Sequence, residues 1–175
     1  MTTTRQEQVK LMHDLFDRYG HVYEHHRPDK KVFMQVRLND SFSFLIPKED
    51  RIPDWVLTDT EWFFAFPAGY IDADGSIRTA SPRSARLDIQ TYDQGILHGL
   101  WKGITNASIH CAHPRVVVQA GWTNSVGIVQ RQDKWGIWIH RRKHLHQLLR
   151  RLLPHLQHDK RRKDALAALQ ATGRP

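Results

Sequence analysis

Phe66-Pro67-Ala68-Gly69-Tyr70-Ile71-Asp72-Ala73-Asp74-Gly75-Ser76-Ile77 is the stretch on which the fold turns. Read as a helix, it sets Ala65, Ala68, Gly69 and Asp72 in a stripe that is small on one side, while Trp62, Phe63, Phe66 and Tyr70 supply bulk elsewhere. Two such helices can approach closely along the stripe, because little more than backbone and methyl groups lies between them. The stripe ends at acids. A closely packed pair therefore brings one carboxylate from each helix to a shared point, where a cation relieves the repulsion. Taken alone, the same residues also fit a helix finished by a plain Asp-Gly turn.

Upstream of this stretch, Thr58-Asp59-Thr60-Glu61 fits a capping box that opens the helix, and Ala73-Asp74-Gly75 is its natural end. Downstream, Ile77, Leu87 and Ile89 predict two strands joined through Ser81-Pro82-Arg83-Ser84. Asp93 is placed to cap a helix carrying Ile96, Leu97, Leu100 and Trp101. Val116-Val117-Val118, Val126 to Val129, and Trp135 with Ile137 and Ile139 then predict β-structure. Leu145, Leu148, Leu149, Leu152 and Leu153 fall at helical spacing up to Pro154, and Ala165, Leu166, Ala168 and Leu169 mark a last helix.

Nearer the start, Val9, Leu11, Met12, Leu15 and Phe16 predict a helix over residues 7–19, stopping at Tyr19-Gly20. Val32, Met34, Val36 and Leu38 alternate as a strand, and Phe42, Phe44 and Ile46 fit either strand or helix. Runs of helix and strand in this order predict an α+β fold. Leu11-Met12-His13-Asp14-Leu15-Phe16 faintly echoes Ile96-Leu97-His98-Gly99-Leu100-Trp101, which makes residues 1–58 the rear of a duplicated unit without its front, and residues 59–175 a complete one.

The chain has 175 residues, room for one ordinary domain or one and a half small ones. Its 17 Phe, Trp and Tyr side chains and 40% hydrophobic content are enough for a packed core. A single cysteine, Cys111, excludes an internal disulfide framework and a multi-cysteine zinc site, and points to a reducing, cytoplasmic or organellar compartment. No apolar run reaches the length of a membrane span, and the polar start does not resemble an export signal. The formal charge of +8 is concentrated between Arg141 and Lys163, where nine basic residues face one acidic residue, Asp159. Such a segment suits a polyanion, with strongly salt-dependent binding to nucleic acid; it also suits a solvated helix face. The histidines at His110-Cys111-Ala112-His113 and His144-Leu145-His146 complete no zinc set, and neither a Gly-rich phosphate loop nor a Ser-His-Asp order is recognisable.

The central stretch resembles the signature of the LAGLIDADG homing endonucleases. Seven of the nine signature positions are identical over Pro67 to Gly75, with Tyr70 an aromatic variant, and the order of elements over residues 59–171 is similar to one half-domain of that family. The resemblance implies a curved antiparallel sheet with packed helices that straddles double-stranded DNA in the major groove. It also implies a homodimer, because one motif is present, with Ala65, Ala68, Gly69 and Asp72 at the interface. The implied activity is site-specific, Mg²⁺-dependent hydrolysis of both strands, as in intron homing. By the same resemblance Asp74 matches the metal-binding acid, the carbonyl of Ala73 adds a ligand, and Asp72 serves structure. Lys160 lies near the family's active-site lysine, with Arg161 an equal alignment, and Thr91 or its neighbour Gln90 falls where some members place a water-ordering glutamine. Arg78, Arg83, Arg86, Asp88 and Gln90 are the implied base-contacting residues, and Arg141, Arg142, Lys143, Arg161, Arg162 and Lys163 the phosphate-contacting ones. Pro67 departs from the pattern and predicts a kinked helix front. A non-cleaving binder of DNA or intron RNA on the same scaffold is the other implied class.

Overall fold

In the computed structural model, residues 2–81 and 84–173 are described, and they form two compact units: Met1–Glu49 with His158–Lys160, and Asp50–Gln157 with Arg161–Pro175. The fold is α+β. The elements in chain order are β1 (Thr2–Thr3), α1 (Gln6–Phe16), β2 (Val22–His26), β3 (Val32–Val36), a 3₁₀ turn (Asp40–Leu45), α2 (Asp54–Leu57), α3 (Thr60–Asp74), β4 (Gly75–Ser81), β5 (Ser84–Thr91), α4 (Gln94–Asn106), β6 (Arg115–Val118), β7 (Lys134–Ile139), α5 (Arg142–Leu152) and α6 (Asp159–Gly173).

In the first unit the sheet order is β1-β3-β2, all antiparallel. Period-two alternation puts Val22, Val32 and Met34 on one side, where they bury against Val9 with Met12, Phe16 and Val36 packed around them. β2 is an element that hydropathy does not reveal, because only Val22 of its five residues is buried. The ambiguous Phe42 stretch is the 3₁₀ turn, opened by Asn39, whose side chain accepts from Ser41 N–H at 3.0 Å.

In the second unit the sheet order is β4-β5-β7-β6, again antiparallel. Ile77, Leu87, Ile89, Ile137 and Ile139 cover one face of it and meet Leu97, Leu100, Leu145, Leu148, Leu149 and Leu152 from α4 and α5 in one continuous core. Each of these side chains contributes roughly 1.5–3 kcal/mol by leaving water. Several expectations change here. The boundary lies at Glu49/Asp50 rather than residue 58, because Ile52 and Val56 belong to this second core. No capping box forms at Thr58; its hydroxyl donates to Trp55 carbonyl at the end of α2, and Asp59 alone caps α3, accepting from Glu61 and Trp62 N–H at 2.7 and 3.0 Å. Asp93 gives α4 no side-chain cap. Asp50 does so instead, accepting from Gly95 and Ile96 N–H at 2.8 and 3.1 Å. Val126 to Val129 is not a strand: Asn124 accepts from Val126 and Ile128 N–H, and Gly121 and Gly127 take positive φ, so turn chemistry outweighs the apolar run.

Candidate metal-binding carboxylate and nucleic-acid face

α3 runs uninterrupted through Pro67, whose missing N–H leaves the Phe63 carbonyl outside the helical ladder. Its inward side is Phe63, Phe64, Pro67, Ala68, Ile71 and Asp72. The four small residues of the expected stripe therefore divide between faces. Ala68 is completely buried, and Asp72 is buried with Oδ2 accepting from Gln157 N–H at 2.7 Å. Both are built into the unit's own core, so neither is open to a second helix. Ala65 and Gly69 face outward with Ala73, one turn apart each, and a methyl placed on Gly69 would meet nothing within 4 Å.

Asp74, exposed, is the last helical residue, one position past Ala73 and about 100° round the helix from it. It sits at the negative end of the helix dipole with no basic residue in the last turn, an arrangement that costs about 0.3–1 kcal/mol and favours a cation there. The last carbonyls of a helix, Ala73's among them here, have no partner within the helix itself. The tight exit into β4 needs Gly75, since a Cβ there would come within 2.6 Å of Ile71 Cα. Among the described residues no cluster of three or more His, Cys, Asp or Glu side chains is spaced to hold a metal. One chain thus offers a single hard-oxygen carboxylate plus backbone carbonyls, a donor set that suits Mg²⁺ only when a second carboxylate joins it.

Behind Asp74 lies a polar triad that sequence reasoning did not assemble. Tyr70 Oη donates to Asp93 Oδ2 at 2.6 Å and lies 2.8 Å from Thr91 Oγ1, which itself donates to Asp93 at 3.2 Å. Burial and then the Asp93 hydrogen bond push the Tyr70 phenol up, with Asp74 a smaller contributor, so it stays protonated. Thr91 is buried and committed to this network. Gln90 points to the other side of the sheet, opposite Gly136.

That other side is the polar face. Arg78 and Arg86 are cross-strand partners, as are Asp88 and Trp138. Asp88 is buried, with Oδ2 3.0 Å from Arg86 Nε and 3.9 Å from Arg78 Nε, while its Oδ1 has no hydrogen-bond partner. It acts as an anchor for the two exposed guanidiniums rather than as an outward group. Arg83 lies outside the described residues. Arg115, Trp138 and His140 extend the face beyond the sequence expectation: the Arg115 guanidinium stands 4.7 Å over the Trp138 ring, and with Arg86 they line an open depression of about 500 Å³. Their signal was the alternation Lys134, Gly136, Trp138 in β7 and His140 just past it, once the register of β7 against Asp88 and Gln90 is known.

The basic helices divide similarly. Arg141 and Lys143 are exposed at the opening of α5, where the positive helix end adds to their charge, and Arg142 donates from Nε to Thr172 carbonyl at 2.9 Å. Lys160 is exposed in the first turn of α6 and belongs with the first unit. Arg162 and Lys163 are exposed. Arg161 is not available as an active-site or phosphate contact, because its side chain is buried and 3.8 Å from Asp164. The histidine groups serve packing: His98 and Trp101 hold His113 edge-on, and His144 accepts from His110 N–H at 3.0 Å.

No protein-family model matches the chain, and no curated protein shows significant similarity to it. Among solved structures it is similar to the homing endonuclease I-CvuI in complex with its target in the presence of 2 mM Ca, at 21% identity over 65% of this chain and 68% of that one, with a TM-score of 0.45. It is also similar to I-CvuI in complex with the I-CreI target in the presence of 2 mM Mg, with the DNA not cleaved, at 20% identity over the same shares and a TM-score of 0.42.

Proposed function

We propose that this chain is a site-specific endonuclease of double-stranded DNA on a LAGLIDADG scaffold, hydrolysing phosphodiester bonds with Mg²⁺ as a homodimer that meets along α3. The observation that carries the reading is the outward row of Ala65, Gly69 and Ala73 with the exposed Asp74 next to it at the helix end. Packed against its own copy, that row would place two Asp74 carboxylates together, completing a donor set that one chain leaves half made. Asp74 and the Ala73 carbonyl would hold the ion, which supplies charge neutralisation at the scissile phosphate and a more acidic bound water. Arg78, Arg86 and Gln90 would meet base edges, and Arg141, Lys143, Arg162 and Lys163 would meet backbone phosphates.

The test is incubation with Mg²⁺ and a duplex library spanning uninterrupted insertion loci. Cleavage at one sequence, lost in Asp74→Asn while the duplex is still bound, is the expected result; cutting by that variant at the normal rate rules the mechanism out. A second reading, a scaffold that binds without cutting, is favoured by one specific observation. Thr91 is tied to Tyr70 and Asp93, and Gln90 faces the polar side of the sheet, so neither stands ready to order a nucleophilic water. A retarded but unnicked duplex would decide for it, and a preference for folded RNA over duplex would give it an RNA target.

A further inference from the structure

The first unit carries a surface that the endonuclease reading leaves unused. Its sheet has two unlike sides. The aliphatic residues Val22, Val32, Met34 and Val36 all turn toward α1. The outward side carries Tyr23, His25, Phe33 and Gln35, with Arg27 and Arg37 beyond the strand ends, and every one of these is exposed. Tyr23 and Phe33 are 50% and 36% accessible, unusual for rings within a sheet. The register pairs Tyr23 with Gln35 and His25 with Phe33, so the two rings are diagonal neighbours, roughly 7–8 Å apart. Arg27 holds its guanidinium 6.0 Å from the centre of the Phe33 ring.

Within the strands, the outward side carries no carboxylate. The Glu24 carboxylate turns to the helix side, where His13 and His26 hold it, and Asp29 is engaged by Lys31 in the hairpin turn. We propose that this face binds single-stranded nucleic acid, with unpaired bases stacking on Tyr23 and Phe33 and the backbone lying along Arg27 and Arg37. Two features select that occupant. Flat rings beside guanidiniums and hydrogen-bonding His and Gln side chains suit bases and phosphates together. Duplex bases hide their faces in their own stack, so only an unpaired strand can use the rings. This site lies in the first unit and goes beyond the duplex chemistry proposed for the second.

Fluorescence anisotropy with the whole chain tests it, using labelled oligo-dT and oligo-U of about ten nucleotides and a duplex of equal length, at about 0.15 M salt. A 2-aminopurine in the single strand reports stacking by quenching. Tyr23→Ala and Phe33→Ala should each weaken single-strand binding about five- to hundredfold and remove the quenching, with duplex binding unchanged. Tyr23→Phe and Phe33→Trp, which keep a ring, should retain both signals. Phe33→Leu keeps the bulk and loses the π-face; folded by circular dichroism, it should behave like the alanine variant. The relative affinity for dT and U says whether a 2′-hydroxyl is read. Alanine variants that hold single strands as tightly as the unaltered chain overturn the proposal. So do an equal loss for duplex, or an unaltered chain that shows no single-strand binding. The assay needs neither Mg²⁺ nor cleavage, so its result stands apart from that of the nuclease test.

Discussion

Arg86→Ala should destabilise the second unit more than Asp88→Asn, although both break the same ion pair. The reason is which charge is left behind. Removing Arg86 strands a carboxylate whose side chain is only 5% exposed, with one remaining partner at 3.9 Å and one oxygen that has none. Loss of a partner from a fully buried pair costs about 3–5 kcal/mol, and the exposure of the arginines scales that down to roughly 2–3 kcal/mol. Neutralising Asp88 instead leaves two guanidiniums, 61% and 51% exposed, that water can solvate. Its cost is mainly the opposition of like charges across β4 and β5, about 0.5–1 kcal/mol. The double variant should therefore recover part of the Arg86→Ala loss, with a coupling of about 1–2 kcal/mol. Urea unfolding followed by tryptophan fluorescence measures this cleanly, because all six tryptophans lie in the second unit and Trp138 is the cross-strand neighbour of Asp88. An Arg86→Ala cost no greater than that of Asp88→Asn, or strict additivity in the double variant, would refute the reasoning.

Gly69→Ala should stabilise the isolated chain by about 0.5–1 kcal/mol, since the helix gains propensity and the new methyl meets nothing, yet weaken self-association in sedimentation if α3 is the dimer seam. Gly103→Ala should do the reverse: its Cβ would lie 2.2 Å from the Phe63 ring, and the overlap should cost about 1–3 kcal/mol in the same urea assay. Hydrogen bonds to Glu24 and then Asp17 raise the pKa of His13 above the ordinary 6.5. Its contribution to the first unit is therefore complete below about pH 6.5 and fades as pH rises through the raised value; NMR titration should show that pKa fall in Glu24→Gln.

What was legible in the chain was whatever hydropathy and turn chemistry state together. α3 ends at Asp74 as read, β4 and β5 pair as far as Ser81 opposite Ser84, and the leucines of α5 are buried at the spacing seen. Small and charged residues are less telling, because neither size nor charge says which way a side chain faces. Ala68 and Asp72 went inward while Ala65 and Gly69 stayed out, and Arg161 turned into the protein from the middle of a basic run. β2 escaped notice for want of apolar alternation, and Val126 to Val129 looked like a strand for want of any account of Asn124. The Tyr70–Thr91–Asp93 triad needed three-dimensional proximity between residues that are 21 and 23 positions apart.

The cap that Asp50 places on α4 bears on how the molecule can be divided. The order of elements in the sequence suggests cutting at residue 59, just ahead of α3. A fragment begun there would lack the carboxylate that satisfies Gly95 and Ile96 N–H, and also Ile52, against which Gly99 is packed so closely that a Cβ would come within 2.9 Å. Its α4 would open frayed, over a hole in the hydrophobic interior. Dissection that respects hydrogen bonding starts no later than Asp50, because the second unit closes its core only with that short preceding stretch seated.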